Sequence, residues 1–586
     1  AARKRRVSLC ARGGRTAGAA AAAAAPTAEP PPAPVADVGP LPPGVPPAYA
    51  DLLAPVLPAD FSWEAFAQAS QRPLRPCVRI NPLKASVESI RRYSAANSWW
   101  LEEEVPWSAG AAAAAGPGYW VRRDQTVDET PLPPLWAEAL PGAARASSSA
   151  AEPGRMQWGR DAAHFTGHVY PMEAASLLPV AALVDAFEGG RAPEGIRILD
   201  AAAAPGGKTA ALAAWAAPAG GGIVANEPNA NRSKALVDNL LRTGTMPWCA
   251  IMQLDGRHCG RWWPEEFDAV LLDAPCSGDS LTRKGDGIAN RWDQAGGYLR
   301  HLSGLQRQLA ASAFRALRPG GVLVYSTCTL NPAENEGVAE YLQETFGDAV
   351  EVLPLDRLPG AEGLATPEGF LRCWPQAADT LGFFVARFRK VSSTGAKAPS
   401  GQSPSNKSRR KSHEAGDNSV GSKAVDVVNR KEARSIERIC KEAFGSWTLD
   451  SASGLTLRRR KGQVWLIPEV LAPLRAASLR RSGIKFVDVR AYNLPYAVNF
   501  EWVLAFGHSL PVEGGPGVAT LSAEAARAFC AGEDVEPDWT EASALAQDGS
   551  QAVARCGDYV LGLGRWQGSE LHNDTPRHWR CPDIVL

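Results

Sequence analysis

Ile198-Leu199-Asp200-Ala201-Ala202-Ala203-Ala204-Pro205-Gly206-Gly207-Lys208-Thr209 runs from a short apolar strand through a Gly-rich turn into a helix-forming stretch. Small residues let the backbone approach a ligand, and the first amides of the helix offer unpaired N–H groups to a carboxylate or phosphate. The turn matches neither the GxGxxG nor the GxxxxGK spacing, so alone it also fits a plain strand-to-helix connection. Its neighbours decide the fold. Apolar runs at residues 196–199, 223–226, 269–272, 322–325 and 383–388 predict strands. Helical segments at 209–216, 232–241 and 304–317 lie between them. This alternation predicts an α/β fold, a doubly wound sheet with helices on both faces and a ligand crevice at the carboxyl ends of the strands.

Three acids fall at successive predicted strand ends. Glu227 closes the strand after the Gly-rich loop, where an acid commonly binds ribose hydroxyls. Asp255 follows a further strand candidate at 250–254 and suits an adenine amino group, and Asp273 closes the next strand. One such acid is ordinarily a solvated strand terminus; three in register point to a ligand. Two cysteines share that edge, in Asp273-Ala274-Pro275-Cys276-Ser277-Gly278 and Tyr325-Ser326-Thr327-Cys328-Thr329. Most single cysteines are small buried hydrophobes. These two sit in Pro/Ser/Thr-rich turns beyond buried strands, where a thiolate is exposed enough to react and helix N-termini and Lys208 can favour its charge. A thiolate adding to C6 of cytosine turns the weakly nucleophilic C5 into an enamine-like carbon able to accept a methyl group. Loss of the C5 proton and expulsion of sulfur then give a second thiol or a carboxylate a task.

Composition bounds the rest. The 586 residues predict roughly two to four domains with real cores. With 62 basic and 62 acidic residues, any nucleic-acid surface must be local. Eleven cysteines without a CxxC pair argue against a disulfide framework or zinc module and predict no metal. No apolar run reaches the roughly 18 residues of a membrane span, so no membrane partner is expected. Residues 1–47 form a basic, Ala-rich and Pro-rich start whose first acid is Glu29. That is the composition of an organelle transit peptide, though a disordered basic arm shares it. Chloroplast import is expected, with mitochondrion or nucleolus as alternatives, and the lack of an initiator Met fits a trimmed or fragmentary chain. Residues 48–170 form the predicted N-terminal region, with a helix at 61–69 and loops from about 110 to 160. A catalytic domain at 171–390 precedes a Ser/Lys/Asn/Gly-rich linker at 391–428. Order resumes with a helix at 432–444 in a middle domain, 429–510, and a β-rich module occupies 511–586.

The stretches 199–209, 273–278 and 325–336 resemble the cofactor loop and two cysteine motifs of the RsmB/NOP/NSUN family of RNA (cytosine-5) methyltransferases, and within it the RsmF-type 16S rRNA enzymes. The resemblance runs from about residue 61 to 576. It implies a Rossmann-like core that uses S-adenosylmethionine, a small N-terminal α+β RNA-contacting region and a C-terminal PUA-like module. It also implies that Ala202, Ala203, Ala204, Pro205, Gly206, Gly207, Lys208, Glu227, Asp255 and Asp273 contact the cofactor. Cys328 is the implied nucleophile and Cys276 the implied aid to release, with Asp273 beside them; DNA cytosine methyltransferases would give the nucleophile's role to Cys276. Relatives usually carry Gln where Met172 precedes Glu173, which leaves that local contact open.

RNA is the implied partner of a monomer, small-subunit rRNA first. Arg72, Arg75 and Arg79 match the N-terminal RNA-contacting stretch. Residues 455–485 hold eight basic residues, among them Arg475, Arg480 and Arg481, against the single acid Glu469. Such a cluster would bind phosphates, and Trp465 within it would stack on an unpaired base. The competing expectations are a tRNA or nucleolar rRNA substrate, and a ribosome-assembly factor whose catalysis is dispensable.

Overall fold

The computed structural model describes residues 41–123, 158–284, 296–395, 426–444, 453–474, 479–489, 496–510, 517–538 and 546–586. Nearly all of the expected transit segment, most of the expected linker and Arg475 lie outside these residues.

Helix α1 (Trp63–Gln71) is capped by Ser62, whose side chain accepts from the Ala65 amide. An antiparallel sheet follows, built from β1 (Cys77–Ile80), β2 (Trp99–Glu104), β3 (Gly118–Arg123) and β4 (Val169–Pro171) in the order β2-β3-β1-β4. Helix α2 (Val87–Ala96) connects β1 to β2. Part of the span expected as loop is therefore strand: Tyr119, Trp120 and Val121 pack on both faces of the sheet, which the flanking Ala and Gly tracts conceal.

The central sheet contains β5 (Arg197–Asp200), β6 (Gly222–Asn226), β7 (Cys249–Met252), β8 (Phe267–Asp273), β9 (Leu317–Thr327), β10 (Val350–Val352), β11 (Leu371–Cys373) and β12 (Phe383–Lys390). The five strands β9-β8-β5-β6-β7 are parallel neighbours in that order. On one face Ile198, Ile223, Ile251 and Leu271 pack against α3 (Leu178–Asp185), α4 (Gly207–Ala216) and α5 (Ala230–Arg242). On the other, Leu199, Val224, Val270 and Leu323 meet α6 (Gly296–Ala316) and α7 (Glu336–Phe346). Both faces are covered, which explains why these strands read as unbroken apolar runs. Each fully buried Leu or Ile contributes about 1.5–3 kcal/mol. The observed β9 begins at Leu317, within the span expected to end a helix, because the Pro319–Gly320 turn stops α6 early.

A five-stranded sheet contains β13 (Asp426–Val427), just before helix α8 (Arg430–Phe444), and β14 (Leu455–Arg460) and β15 (Gln463–Pro468) after it. The next strand, β16 (Leu479–Ser482), leaves that sheet and pairs antiparallel with β7, extending the central one. The five-stranded sheet is completed by β17 (Ile484–Val489) and β18 (Tyr496–Val498). Last comes a four-stranded module of β19 (Val518–Thr520), β20 (Gln551–Cys556), β21 (Tyr559–Gln567) and β22 (Glu570–Asn573) with helix α9 (Ala523–Ala531). Its core is continuous with that of the N-terminal sheet.

Candidate active site

Sheet order converts sequence order into geometry. Along the carboxyl edge the strand ends present, in sequence of neighbours, Cys328 beyond β9, Asp273 and Cys276 beyond β8, the Gly-rich loop beyond β5, Glu227 beyond β6 and Asp255 beyond β7. The crevice between β8 and β5 is the point where strand order reverses, the ligand position of open α/β sheets. Lys208 spans it, donating from Nζ to Asp273 Oδ2 at 2.7 Å. Against its own burial, which lowers it, the Asp273 carboxylate raises the Lys208 ammonium above its ordinary value. The other oxygen of Asp273 accepts from Ser326 Oγ at 2.7 Å, fixing the carboxylate between two strand ends.

The loop is shaped by Gly206, whose φ of +111° is open to glycine. A Cβ there would lie 2.9 Å from the Leu236 side chain. Ala203 N donates to Asn226 O, while Asn226 Nδ2 donates to Ala201 O at 3.0 Å and Oδ1 accepts from Leu254 N at 3.0 Å. One buried amide thus ties the ends of β5, β6 and β7 together. Glu227 is 2% exposed; it accepts from Asn229 N at 2.8 Å and faces Arg232 at 3.3 Å. Asp255 is held in a fork by Arg257, whose hydrogen bonds pull its carboxyl below the usual range.

The thiols meet. Cys276 Sγ lies 3.1 Å from Cys328 Sγ, both cysteines are free, and both are half-buried. The hydrogen bond to Cys328, then burial, push the Cys276 thiol well above its ordinary value. Every predicted site residue is therefore on this edge. The residues that hold it together were not singled out from sequence. Glu334 is fully buried and binds Ser277 and Gln306; Ser280 Oγ donates to Cys328 O at 2.6 Å. For Ser277, Ser280 and Glu334 the one legible signal is position in a polar turn a few residues from a strand end, whereas Gln306 lies within α6. Asp200, at the mouth of the loop, accepts from Thr209 Oγ1 at 2.7 Å, and its buried Oδ1 has no partner among the described residues.

Two expectations for RNA contact change, those for Arg79 and Trp465. Arg79 is fully buried and donates to Ala115 O at 2.9 Å, bracing the N-terminal sheet. Arg75 pairs with Glu102 and lies over the Trp120 ring. Trp465 is 8% exposed beneath Arg481, so its ring is packed and not open to a base. Alternation along β15 turns Val464 and Leu466 into the core and Trp465 to the opposite face, where Arg481 covers its ring. Met172 lies in the turn where Glu173 accepts from Ser176 N and Leu381 N, so the acid, at least, is tied into the fold.

Comparison with known proteins places this arrangement. Residues 191–389 match the family model of the 16S rRNA methyltransferase RsmB/F, and residues 517–581 match that of the methyltransferase RsmF PUA domain. Over 536 residues the chain is 35% identical to a ribosomal RNA small subunit methyltransferase F of Vibrio parahaemolyticus, covering 91% of this chain and 97% of that protein. It is 36% identical over 534 residues to the protein of the same name in Escherichia coli O157:H7, covering 91% and 96%. Among solved structures, NSun6 from Pyrococcus horikoshii with SFG aligns at 21% identity and a TM-score of 0.44, covering 60% of this chain and 99% of that one.

The fold and its crevice are those of an S-adenosylmethionine-dependent methyltransferase. The chain belongs to the RsmB/F family, and its C-terminal module is an RsmF-type PUA domain. The crevice fits the cofactor: the unpartnered Asp200 Oδ1 is an acceptor suited to an ammonium group, and the carboxylates of Glu227 and Asp255 are acceptors suited to hydroxyls and an adenine amino group.

Proposed function

We propose that this protein methylates C5 of a cytosine in small-subunit rRNA through a covalent adduct between Cys328 and C6 of the base. The observation that carries this reading is the pair of free thiols 3.1 Å apart beside the Lys208–Asp273 ion pair. The relatives named as small-subunit rRNA methyltransferases support the choice of RNA. When bound, S-adenosylmethionine supplies an electrophilic methyl group. Residues 202–208, Glu227, Asp255 and Asp273 hold it on the strand ends.

Cys328 is the attacking sulfur. The hydrogen bond to Cys328 and then burial keep the proton on its neighbour Cys276, and the Lys208 ammonium is held on the same strand ends by Asp273. A nearby cation favours the thiolate. Addition forms the S–C6 bond and moves the ring electrons toward N3, where Asp273 accepts a hydrogen bond from the protonated base edge. Once C5 carries the methyl group, a water molecule takes the C5 proton, the C5–H pair forms the C5=C6 double bond and the S–C6 pair returns to sulfur. Cys276, as a neutral thiol, donates its hydrogen bond to the departing Cys328 thiolate.

A denaturing gel with labelled small-subunit rRNA separates the roles. Cys328→Ala is expected to abolish methylation and adduct together, and Cys276→Ala to accumulate a slowly migrating protein–RNA conjugate. The reverse pattern gives the nucleophile's role to Cys276. Neither variant forming a conjugate, with wild-type protein also forming none, removes the covalent step.

A further inference from the structure

One buried carboxylate holds Cys276 from both sides. Glu334 accepts from Ser277 N at 2.9 Å, Ser277 Oγ at 2.6 Å, Gln306 Nε2 at 2.8 Å and Asn331 Nδ2 at 3.2 Å. Gln306 Nε2 also donates to Pro275 O at 2.9 Å, so the residues before and after Cys276 are fastened to the same group. Glu334 belongs to the loop that carries Cys328, and Tyr325 OH donates to its carbonyl at 2.6 Å, anchoring that loop to β9. Ser277 Oγ reaches Thr329 Oγ1 at 3.1 Å, a second tie between the loops.

The four donors to Glu334 are all neutral, and no ion pair involves it among the described residues. In a dry site its charge is therefore weakly screened. Charges facing the thiol pair are arranged unequally. The Lys208 cation is paired with Asp273, whereas the Glu334 carboxylate is bonded to Ser277, the residue next to Cys276, and its charge adds to the hydrogen bond from Cys328 and to burial in raising the Cys276 thiol. Tyr325 beneath is buried and neutral, and Asp279, on the Cys276 loop, is turned to Leu330 N at 3.0 Å.

We propose that Glu334 is the positioning residue of the thiol pair. It locks the Cys276 loop against the Cys328 loop and biases the proton shared by the two sulfurs onto Cys276, leaving the thiolate on Cys328. Its catalytic meaning rests on the covalent reading above; the charge division does not.

The test is the pH profile of initial iodoacetamide alkylation of the full chain, resolved by peptide mass spectrometry, without RNA or cofactor. In wild-type protein Cys328 alkylates at lower pH than Cys276. In a Cys328→Ala background, adding Glu334→Gln lowers the Cys276 midpoint by about one pH unit or more, which is about tenfold faster alkylation below the midpoint. Adding Ser277→Ala instead removes one of the same hydrogen bonds but keeps the charge, and leaves the midpoint in place. A midpoint unmoved by Glu334→Gln, or moved equally by Ser277→Ala, overturns the proposal. If Glu334→Gln does not fold, the wild-type order decides, and Cys276 alkylating first overturns it. Failure of the cytosine reading would show in the adduct gel and leave these profiles untouched.

Discussion

Asp200 carries the sharpest consequence at the scale of single residues. Burial, partly offset by the Thr209 hydroxyl, pushes its carboxyl from the ordinary 3.8 up to about 6. Between those values the folded chain holds a proton that the unfolded chain has lost, so this group's effect on stability worsens as pH rises from about 4 to about 6 and then levels. Asp200→Asn should raise the stability of the ligand-free protein by about 1–3 kcal/mol at pH 7 and add nothing near pH 4, while weakening cofactor binding. Thermal melts at both pH values and calorimetric titration with S-adenosylmethionine check it; an equal shift at both rejects the account. Glu227 makes a simpler case. Glu227→Ala should weaken the cofactor by about 1–3 kcal/mol, and unchanged affinity would remove Glu227 from the site.

Between β16 and β17 a single residue decides which sheet the chain joins. Gly483 has φ +65°, its amide donates to Cys249 O at 2.9 Å, and a Cβ there would fall 1.8 Å from Leu466 O. Backbone cannot yield as a flexible side chain can. Gly483→Ala is expected to cost about 2–4 kcal/mol and to loosen β16 from β7. Urea denaturation gives the magnitude, and hydrogen exchange at residues 249–252 shows whether the edge is the part released. Ser62, Asn229 and Ser522 each accept from an amide two or three residues on, in the first turn of the helix they cap, so capping is a local matter. The partner of β16 is not local, and its short, basic sequence resembles an ordinary surface strand.

Across the whole molecule the C-terminal module is fastened to the N-terminal sheet. Tyr93 OH donates to Val585 O at 3.1 Å and accepts from Ala162 N at 3.0 Å, and its ring packs on Tyr559 at 5.0 Å. Asn81 Nδ2 donates to Gly167 O and Thr243 O, each at 2.8 Å, so the same N-terminal region also grips the end of α5. The PUA domain is therefore set at a fixed bearing to the crevice. Tyr93→Phe should cost about 1–2 kcal/mol at this junction and lower RNA affinity while cofactor affinity holds. Parallel RNA-binding and cofactor titrations test the split; equal losses in both would mean a general unfolding effect.

The sequence by itself determined the alternation of strands and helices, the Gly-rich turn, the acids at strand ends and the presence of two cysteines in turns beyond strand ends. Each of these is a short-range pattern set by backbone sterics, capping or the period of a buried element. Tertiary structure alone decided that Cys276 and Cys328 lie in contact, because sheet order places β9 beside β8 only once the crossover helices have packed. It also decided that Glu334 joins the two cysteine loops, that Arg481 covers Trp465 and that Arg79 supports the fold. A polar residue near a strand end reads the same in sequence whether it meets solvent, a ligand or another loop. Burial and the partners it brings make the distinction.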